Sequence, residues 1–265
     1  MKSLLMKFII RPVLTLYVFP KNILLYLSGS RVKNNQAVNA LSQEGFYIYP
    51  DLLPEGDVQA LKNDYLELYS KKLVENSGQM NGRIYANKAI SPLVQVYVDR
   101  FSIIAANYFG CKEIDCELTM YQKSEPQQDI ANIPGGEFHM DDNKKNLKFF
   151  IYLSDVTITN GPFSYLPKTH GILSATKMIK WFLWEVSLQR RFLYVSAKNN
   201  KRMASIAVPV LGGSGTVSCV DTTGYHAAMQ VHKGERLVMV VSFAEKRYDP
   251  YRFIEKNKVL QYYRK

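Results

Sequence analysis

The sequence predicts a mainly β protein with flanking helices, whose antiparallel strands form a closed or double-sheet core. After residue 110 the chain consists largely of short runs of β-branched and aromatic residues separated by Gly, Pro, Asn and Asp. A single helical stretch interrupts these runs, whereas a parallel α/β sheet needs helices that alternate with its strands. The predicted strands are Cys116–Tyr121, Leu147–Leu153, Phe163–Leu166, Ile206–Val210, Thr216–Val220 and Arg236–Phe243.

One domain is predicted over residues 41–265, with a helical preface at 41–110. Within the preface, Ser42–Tyr69 contains an extended stretch at 45–50 that leads into apolar residues mostly at intervals of three and four, and Pro92–Phe109 is a second region with the spacing of an amphipathic helix. A helical insert is predicted at 174–202, which contains both tryptophans and is rich in basic residues. Two interpretations of the insert stay open, a helix packed over the β core or a lid that faces the substrate.

The composition excludes a disordered or fibrous chain and indicates an anionic partner. The chain has 265 residues, of which 47% are apolar, and its 34 Lys and Arg against 23 Asp and Glu give a net charge of +11. Such a charge attracts phosphate esters, coenzyme A or acidic lipid. We expect no nucleic-acid binding, because the basic residues lie in two apolar-rich segments and form no nucleic-acid motif.

The N-terminal segment, residues 1–40, is basic and apolar. Its uncharged runs are only nine residues long, whereas a transmembrane helix needs about 20 apolar residues. Arg11 and Pro12 break the apolar stretch that a signal peptide needs. Two interpretations remain, helices packed on the domain or peripheral membrane contact through residues 1–30.

The cysteines favour a reducing compartment. Cys111, Cys116 and Cys219 are an odd number and form no C-x-x-C pair, so that neither a disulfide scaffold nor a cysteine zinc site is indicated. We therefore expect a cytoplasmic protein, peripheral to the membrane if residues 1–30 bind lipid.

An H-x-D pair is the first candidate for chemistry. His139 and Asp141 are two residues apart, and in an extended chain side chains at this spacing point to the same side. An imidazole and a carboxylate would then meet at one point. The pair alone is weak, because a histidine in an exposed loop beside acidic residues would give the same pattern.

Two further residues strengthen the interpretation of this pair as a metal site. His226 follows a predicted strand, and two histidines with one carboxylate form the facial triad of non-haem Fe(II) oxygenases, which leaves positions open for a 2-oxo acid and O₂. Arg236 begins an apolar run ten residues later. Its planar guanidinium matches the distal carboxylate of 2-oxoglutarate, although an Arg at the end of a strand is commonly a surface residue. Lys123 is a candidate for a second positive charge at the co-substrate, or a solvated lysine.

The region from Phe138 to Phe243 resembles the phytanoyl-CoA dioxygenase-like family of Fe(II)/2-oxoglutarate-dependent oxygenases. The resemblance rests on the H-x-D pair, the distal histidine and three short motifs, which are Asn160-Gly161-Pro162, Leu166-Pro167-Lys168-Thr169-His170 and Gly234-Glu235-Arg236. It implies a double-stranded β-helix, or jelly roll. It also implies iron ligation by His139, Asp141 and His226, with Arg236 as the anchor for 2-oxoglutarate.

The function expected from this resemblance is hydroxylation of an aliphatic C–H bond, with release of succinate and CO₂. Relatives that halogenate lack the carboxylate ligand, and here Asp141 is present. The basic, aromatic segments suit an acyl or lipid-type substrate with an anionic head, and a small polar metabolite is the other option. The alternative from another class is a non-catalytic jelly-roll binding protein at the cytoplasmic membrane surface.

Overall fold

The computed structural model of the protein describes eight parts of the chain. They are residues 35–71, 83–85, 91–111, 114, 116–126, 136–141, 146–170 and 197–244. The predictions for residues 1–34 and for 174–196 of the helical insert lie outside these residues.

Nine strands form two antiparallel sheets in the described parts of the chain. The strands are β1 (Phe46–Tyr49), β2 (Arg83–Tyr85), β3 (Cys116–Ser124), β4 (Asn146–Tyr152), β5 (Phe163–Tyr165), β6 (Val208–Val210), β7 (Val217–Asp221), β8 (His226–Ala228) and β9 (Arg236–Ala244). The larger sheet has the order β1-β7-β4-β9-β3-β2 and the smaller the order β6-β5-β8. The six predicted strands are confirmed, with bounds that differ by up to three residues.

Four helices accompany the sheets in the described parts of the chain. They are α1 (Gln36–Glu44), α2 (Glu55–Ser70), α3 (Pro92–Phe109) and α4 (Ala197–Ala204). Helix α3 has the predicted bounds because Pro92 suits the first turn of a helix and Gly110 accepts the left-handed conformation that ends it, at φ 70°. At the start of α1, the side chain of Asn35 accepts hydrogen bonds from two backbone N–H groups.

The first three helices cover one face of the larger sheet. Alternate residues of β9 from Leu237 to Phe243 are buried against Leu41 of α1, Leu61 of α2 and Phe101 of α3. The rings of Phe101 and Phe149 stack with their centroids 4.4 Å apart. Because the helices cover this face, the smaller sheet packs on the opposite face of the larger sheet.

The two sheets face each other across a second apolar core. Val238 and Val240 of β9 are buried together with Phe163 and Tyr165 of β5 and Val210 of β6. Two sheets with these strand orders and a shared core form the double-stranded β-helix that the sequence predicts. The space between the sheets therefore receives every second side chain of β4 and β9.

Helix α4 lies on the outer side of the smaller sheet, where Met203 packs against buried Phe138 and Ala227. Its basic residues Lys201 and Arg202 are exposed. None of the helices in the described residues is long and apolar enough to cross a membrane.

The packing predicts different reactivities for the cysteines. Cys111 is exposed, whereas Cys219 of β7 is buried against the helices, and this burial raises its pKa to about 12. Burial therefore leaves Cys219 as the unreactive thiol at pH 8. We expect iodoacetamide to label Cys111 in the native protein and Cys219 only after unfolding, as measured by peptide mass spectrometry. Rapid labelling of Cys219 in native Cys111→Ser protein would contradict the buried position of β7.

Candidate metal centre

His139 and His226 form a cross-strand pair at the end of the smaller sheet. The backbone N–H of each donates to the carbonyl of the other, and both distances are 3.0 Å. Residues paired in this way project their side chains to the same face of the sheet. Their ring centroids are 4.5 Å apart, and Phe163 stacks on the ring of His226 at 5.4 Å.

Both imidazoles are oriented by their own backbone. The Nδ1 atom of His139 lies 2.7 Å from the carbonyl oxygen of Glu137, and that of His226 lies 2.9 Å from the carbonyl oxygen of Gly224. Since a carbonyl oxygen only accepts, each Nδ1 is the donor. In a neutral ring, Nε2 then carries a lone pair that is available to a metal.

Asp141 completes a set of three ligand atoms. Its Oδ1 lies 3.5 Å from Nε2 of His139 and 3.5 Å from Nε2 of His226. The backbone N–H of Asp141 donates to the carbonyl of Thr222 at 3.1 Å, which ties the H-x-D segment to the chain just before His226. One atom from each of the three side chains lies within 4.8 Å of the others. The sequence-predicted triad is therefore brought together.

Lys148 of β4 also contacts this cluster, which the sequence analysis did not predict. Its Nζ lies 2.5 Å from Oδ2 of Asp141. Burial by itself would raise the pKa of Asp141, but the charge of Lys148 and the contacts with the two histidines outweigh it and hold that pKa well below its ordinary value. Asp141 is thus a carboxylate at neutral pH, as a metal ligand must be.

Arg236 opens β9 with its side chain between the two sheets, because it alternates with Val238 and Val240. It is only 5% exposed. Its Nη2 donates to Ser124 Oγ at 3.3 Å, while Nε and Nη1 have no hydrogen-bond partner among the described residues. Burial lowers the pKa of Arg236, yet a guanidinium starts so high that it stays charged. A buried cation with unused donors fits an anion bound between the sheets.

The Asn160-Gly161-Pro162 motif supports the start of β9. The amide nitrogen of Asn160 donates to the carbonyl oxygens of Asp155 and Glu235, so this side chain fixes the residue directly before Arg236. Gly161 has φ 76°, and a Cβ added there would lie 2.4 Å from the carbonyl oxygen of Met229. Only glycine fits this crossing.

The Leu166–His170 motif supports the approach to His226. The backbone N–H of Tyr225 donates to Thr169 Oγ1 at 2.9 Å, and its carbonyl accepts from Leu166 N–H, also at 2.9 Å. His170 contacts the backbone carbonyl of Ser42 through Nε2 at 3.2 Å. The motif thereby joins the end of α1 to the strand that carries the distal histidine.

A buried carboxylate, Asp221, shapes the turn between β7 and β8. Its Oδ1 accepts from the backbone and the hydroxyl of Thr223, and its Oδ2 accepts from the Tyr108 hydroxyl at 2.5 Å. The hydroxyl of Tyr165 donates to the backbone carbonyl of Asp221, and a Cβ at Gly224 would lie 2.0 Å from that hydroxyl oxygen. The contacts of Asp221 and Tyr165 therefore fix the turn that precedes His226.

Lys123 is a predicted site residue that the structure turns away from the space between the sheets. It is paired across the strands with Leu237, and so lies on the helix-facing side of the larger sheet. Its Nζ forms ion pairs with Glu125 at 2.7 Å and Glu235 at 2.8 Å. The neighbouring Ser124, which contacts Arg236, takes the inward position instead, because adjacent strand residues point to opposite faces.

Two site residues that the sequence reasoning missed carry a recognisable signal. Lys148 is a charged residue within an otherwise apolar strand, and Asp221 is an acid at the end of an apolar run. Charged side chains at such positions are rarely buried unless they have a partner. The identity of those partners depends on the sheet register, which the sequence leaves open.

Comparison with known proteins identifies the fold. By sequence, the chain matches no protein-family model and no curated protein. By structure, it is similar to the non-heme alpha ketoglutarate dependent carbocyclase SnoK from nogalamycin biosynthesis, with 19% identity, a TM-score of 0.57, and coverage of 82% of this chain and 87% of SnoK. The epimerase SnoN in complex with Fe³⁺, alpha ketoglutarate and nogalamycin RO gives 14% identity and a TM-score of 0.58, over 79% of this chain and 82% of SnoN.

HygX from Streptomyces hygroscopicus with nickel and 2-oxoglutarate bound is a third such structure. It gives 12% identity and a TM-score of 0.56, over 81% of this chain and 88% of HygX. At these identities the comparisons establish the fold and leave the narrower phytanoyl-CoA dioxygenase-like assignment a prediction. The chain has the double-stranded β-helix fold of Fe/2-oxoglutarate-dependent enzymes.

Proposed function

We propose that this protein is an Fe(II)- and 2-oxoglutarate-dependent dioxygenase that hydroxylates an aliphatic C–H bond. The observation that carries the proposal is the convergence of Nε2 of His139, Nε2 of His226 and Oδ1 of Asp141. With both Nδ1 atoms donating to backbone carbonyls, the two Nε2 atoms and Oδ1 of Asp141 face one another within 4.8 Å. When both rings are neutral these atoms present three lone pairs, an arrangement that is electrostatically costly without a cation between them.

The three ligands would hold the metal on one side and leave adjacent positions open. This is the donor set of the non-haem iron triad, with two imidazoles and one carboxylate. When bound, Fe(II) with O₂ supplies the oxidative decarboxylation of 2-oxoglutarate to succinate and CO₂ and the oxidation of a substrate C–H bond. The protein supplies the orientation of the reactants.

Arg236 would bind the distal carboxylate of 2-oxoglutarate. Its unused Nε and Nη1 donors lie between the sheets, where water is largely displaced by apolar side chains. A charge-assisted, forked hydrogen bond in such surroundings is stronger than one at the surface. Binding of the distal carboxylate would therefore explain why a charged residue is buried at this position, and it would let the protein recognise a diacid.

The choice of hydroxylation rests on the ligand set. Asp141 provides a carboxylate where a halogenating relative has none, so no ligand position is reserved for a halide. The similar structures include a carbocyclase and an epimerase, which shows that one fold supports several oxidative outcomes. Hydroxylation, unlike halogenation, needs no halide ligand at the metal.

For the substrate we propose a small molecule or an acyl or lipid-type molecule with an anionic group. The support is the charge of +11 and the cationic, aromatic insert, of which Lys201 and Arg202 of α4 are exposed. We place the protein in the cytoplasm on the basis of its cysteines. Peripheral membrane contact through residues 1–30 is part of the same proposal and concerns residues outside the described parts.

Anaerobic titration of the purified protein with Fe(II) and then 2-oxoglutarate tests the proposed co-substrate site. We expect the weak visible charge-transfer absorption that a chelated 2-oxo acid gives on ferrous iron, and we expect it only after both additions. Asp141→Ala should lose the band, since the low pKa of Asp141 makes it the one anionic ligand of the triad. Asp99→Ala, which changes an exposed acid on α3, is the matched control and should keep the band.

The absence of a band in the wild-type protein, together with the absence of bound metal by elemental analysis, would contradict the proposal. That result would favour the non-catalytic binding protein at the membrane surface. A band that persists in Asp141→Ala would instead contradict the assignment of the carboxylate ligand.

A further inference from the structure

Lys148 is the one charged residue of β4. The apolar side chains of this strand pack alternately into the two apolar cores. Leu147, Phe149 and Ile151 face the helices, so Lys148 shares the inner face with Phe150 and Tyr152. The side chain of Lys148 is 19% exposed. Partial burial of an ammonium group in an apolar strand requires a compensating partner.

That partner is Asp141, and the two oxygens of its carboxylate are used differently. Oδ2 lies 2.5 Å from Nζ of Lys148, whereas Oδ1 lies 3.5 Å from Nε2 of each histidine. One oxygen is thus directed to the lysine and the other to the histidine pair. A carboxylate without such a partner is able to bind a metal through both oxygens.

The difference matters for the number of positions that remain at the metal. With Asp141 bound through one oxygen, the triad leaves room for both oxygens of a 2-oxo acid and for O₂. With Asp141 bound through both oxygens, one of those positions is taken. The second carboxylate oxygen of Asp141 must therefore be held away from the metal if both the 2-oxo acid and O₂ are to bind.

We propose that Lys148 is a positioning residue that restricts Asp141 to one metal-binding oxygen. The inference rests on the proposed function and deepens it, because it assigns to β4 the control of how many coordination positions stay open. Lys148 acts through Asp141 and not by contact with the substrate. Partners in the outer shell of a metal site commonly tune it in this way.

The test uses Co(II), whose visible absorption reports coordination number and geometry, on the full-length protein. Wild type, Lys148→Met and Lys148→Arg are loaded with Co(II), and spectra are taken before and after the addition of 2-oxoglutarate. We expect Lys148→Met to alter the Co(II) spectrum before any 2-oxoglutarate is present, and to weaken 2-oxoglutarate binding about tenfold or more. Lys148→Arg keeps the cation and should restore both properties to near the wild-type values.

Lys123→Met is the matched control, because Lys123 is also a strand lysine paired with carboxylates but lies on the other face of the sheet. It should leave the Co(II) spectrum unchanged. If Lys148→Met does not fold by circular dichroism, Lys148→Thr replaces it, since threonine suits a strand and is too short to reach Asp141.

A Co(II) spectrum of the folded Lys148 variant identical to that of wild type would overturn the inference, even if 2-oxoglutarate binding weakened, because a direct contact with the co-substrate would then explain the loss. Failure of the wild-type protein to bind Co(II) would count against the proposed function itself. The two failures are therefore distinguishable.

Discussion

We expect His226→Ala to lower the affinity for the metal by at least about 100-fold and to abolish metal-dependent consumption of 2-oxoglutarate. His226 contributes one of the three convergent lone pairs, is 4% exposed, and is oriented by Gly224 on one side and Phe163 on the other. No other histidine of the described chain lies within reach to replace it, since His170 contacts Ser42 and His232 is exposed. Isothermal titration with Fe(II) under anaerobic conditions measures the effect.

His232→Ala is the matched control, because it removes a histidine only six residues away that is exposed and outside the cluster. It should bind metal as the wild type does. Since truncating a buried side chain also destabilises a fold, the thermal midpoint of the metal-free variant has to be measured alongside. Full metal affinity in a folded His226→Ala protein would contradict the assignment of the distal ligand.

The spacing of His139 and Asp141 in an extended chain, taken together with His226 and the family resemblance, predicted the triad. In the structure His139 forms a bridge with His226 and Asp141 lies in the bend that follows, and the two side chains still meet at one point. The prediction of His226 as a ligand depended on recognising the end of a strand, and the strand before it was predicted within one residue. Local pattern and local geometry agree at these positions.

Lys123 shows where local pattern was insufficient. Its distance from His139 along the chain gave no information about which face of the sheet it would occupy, and a shift of one residue reverses that face. The register of β3 against β9 places Ser124 opposite Arg236 and turns Lys123 to the helices. A long-range pairing thus decided between two adjacent polar residues.

Strands β2 and β8 were missed for a related reason. Whereas β5 and β6, which are equally short, lie in longer apolar runs next to Gly and Pro, β2 and β8 have three residues each, too few for an alternating pattern to be seen. Their pairing depends on partners far away in sequence, such as Tyr165 for His226. The same applies to Lys148, whose role depends on the contact between β4 and the H-x-D segment.

We expect Arg236→Met to weaken the binding of 2-oxoglutarate to the Co(II)-loaded protein by about 30-fold or more, since removal of one partner from a buried charge pair costs about 2 kcal/mol or more. Metal binding itself should change little, because Arg236 is not among the ligand atoms. Arg236→Lys keeps the charge without the planar fork and should recover only part of the affinity. Equilibrium titration with 2-oxoglutarate measures all three proteins.

The same substitution should have the opposite effect on the free protein. In the described structure Nε and Nη1 of Arg236 are buried without a partner, and each such group costs about 1–3 kcal/mol. Methionine removes that cost and retains the packing volume, so we expect the thermal midpoint of the ligand-free protein to rise by at least about 2 °C. The exposed Arg202→Met serves as the control and should change neither property. A fall in both 2-oxoglutarate affinity and ligand-free stability would instead indicate that Arg236 is a structural residue of β9. An arginine that serves to bind an anion should destabilise the ligand-free protein and strengthen 2-oxoglutarate binding.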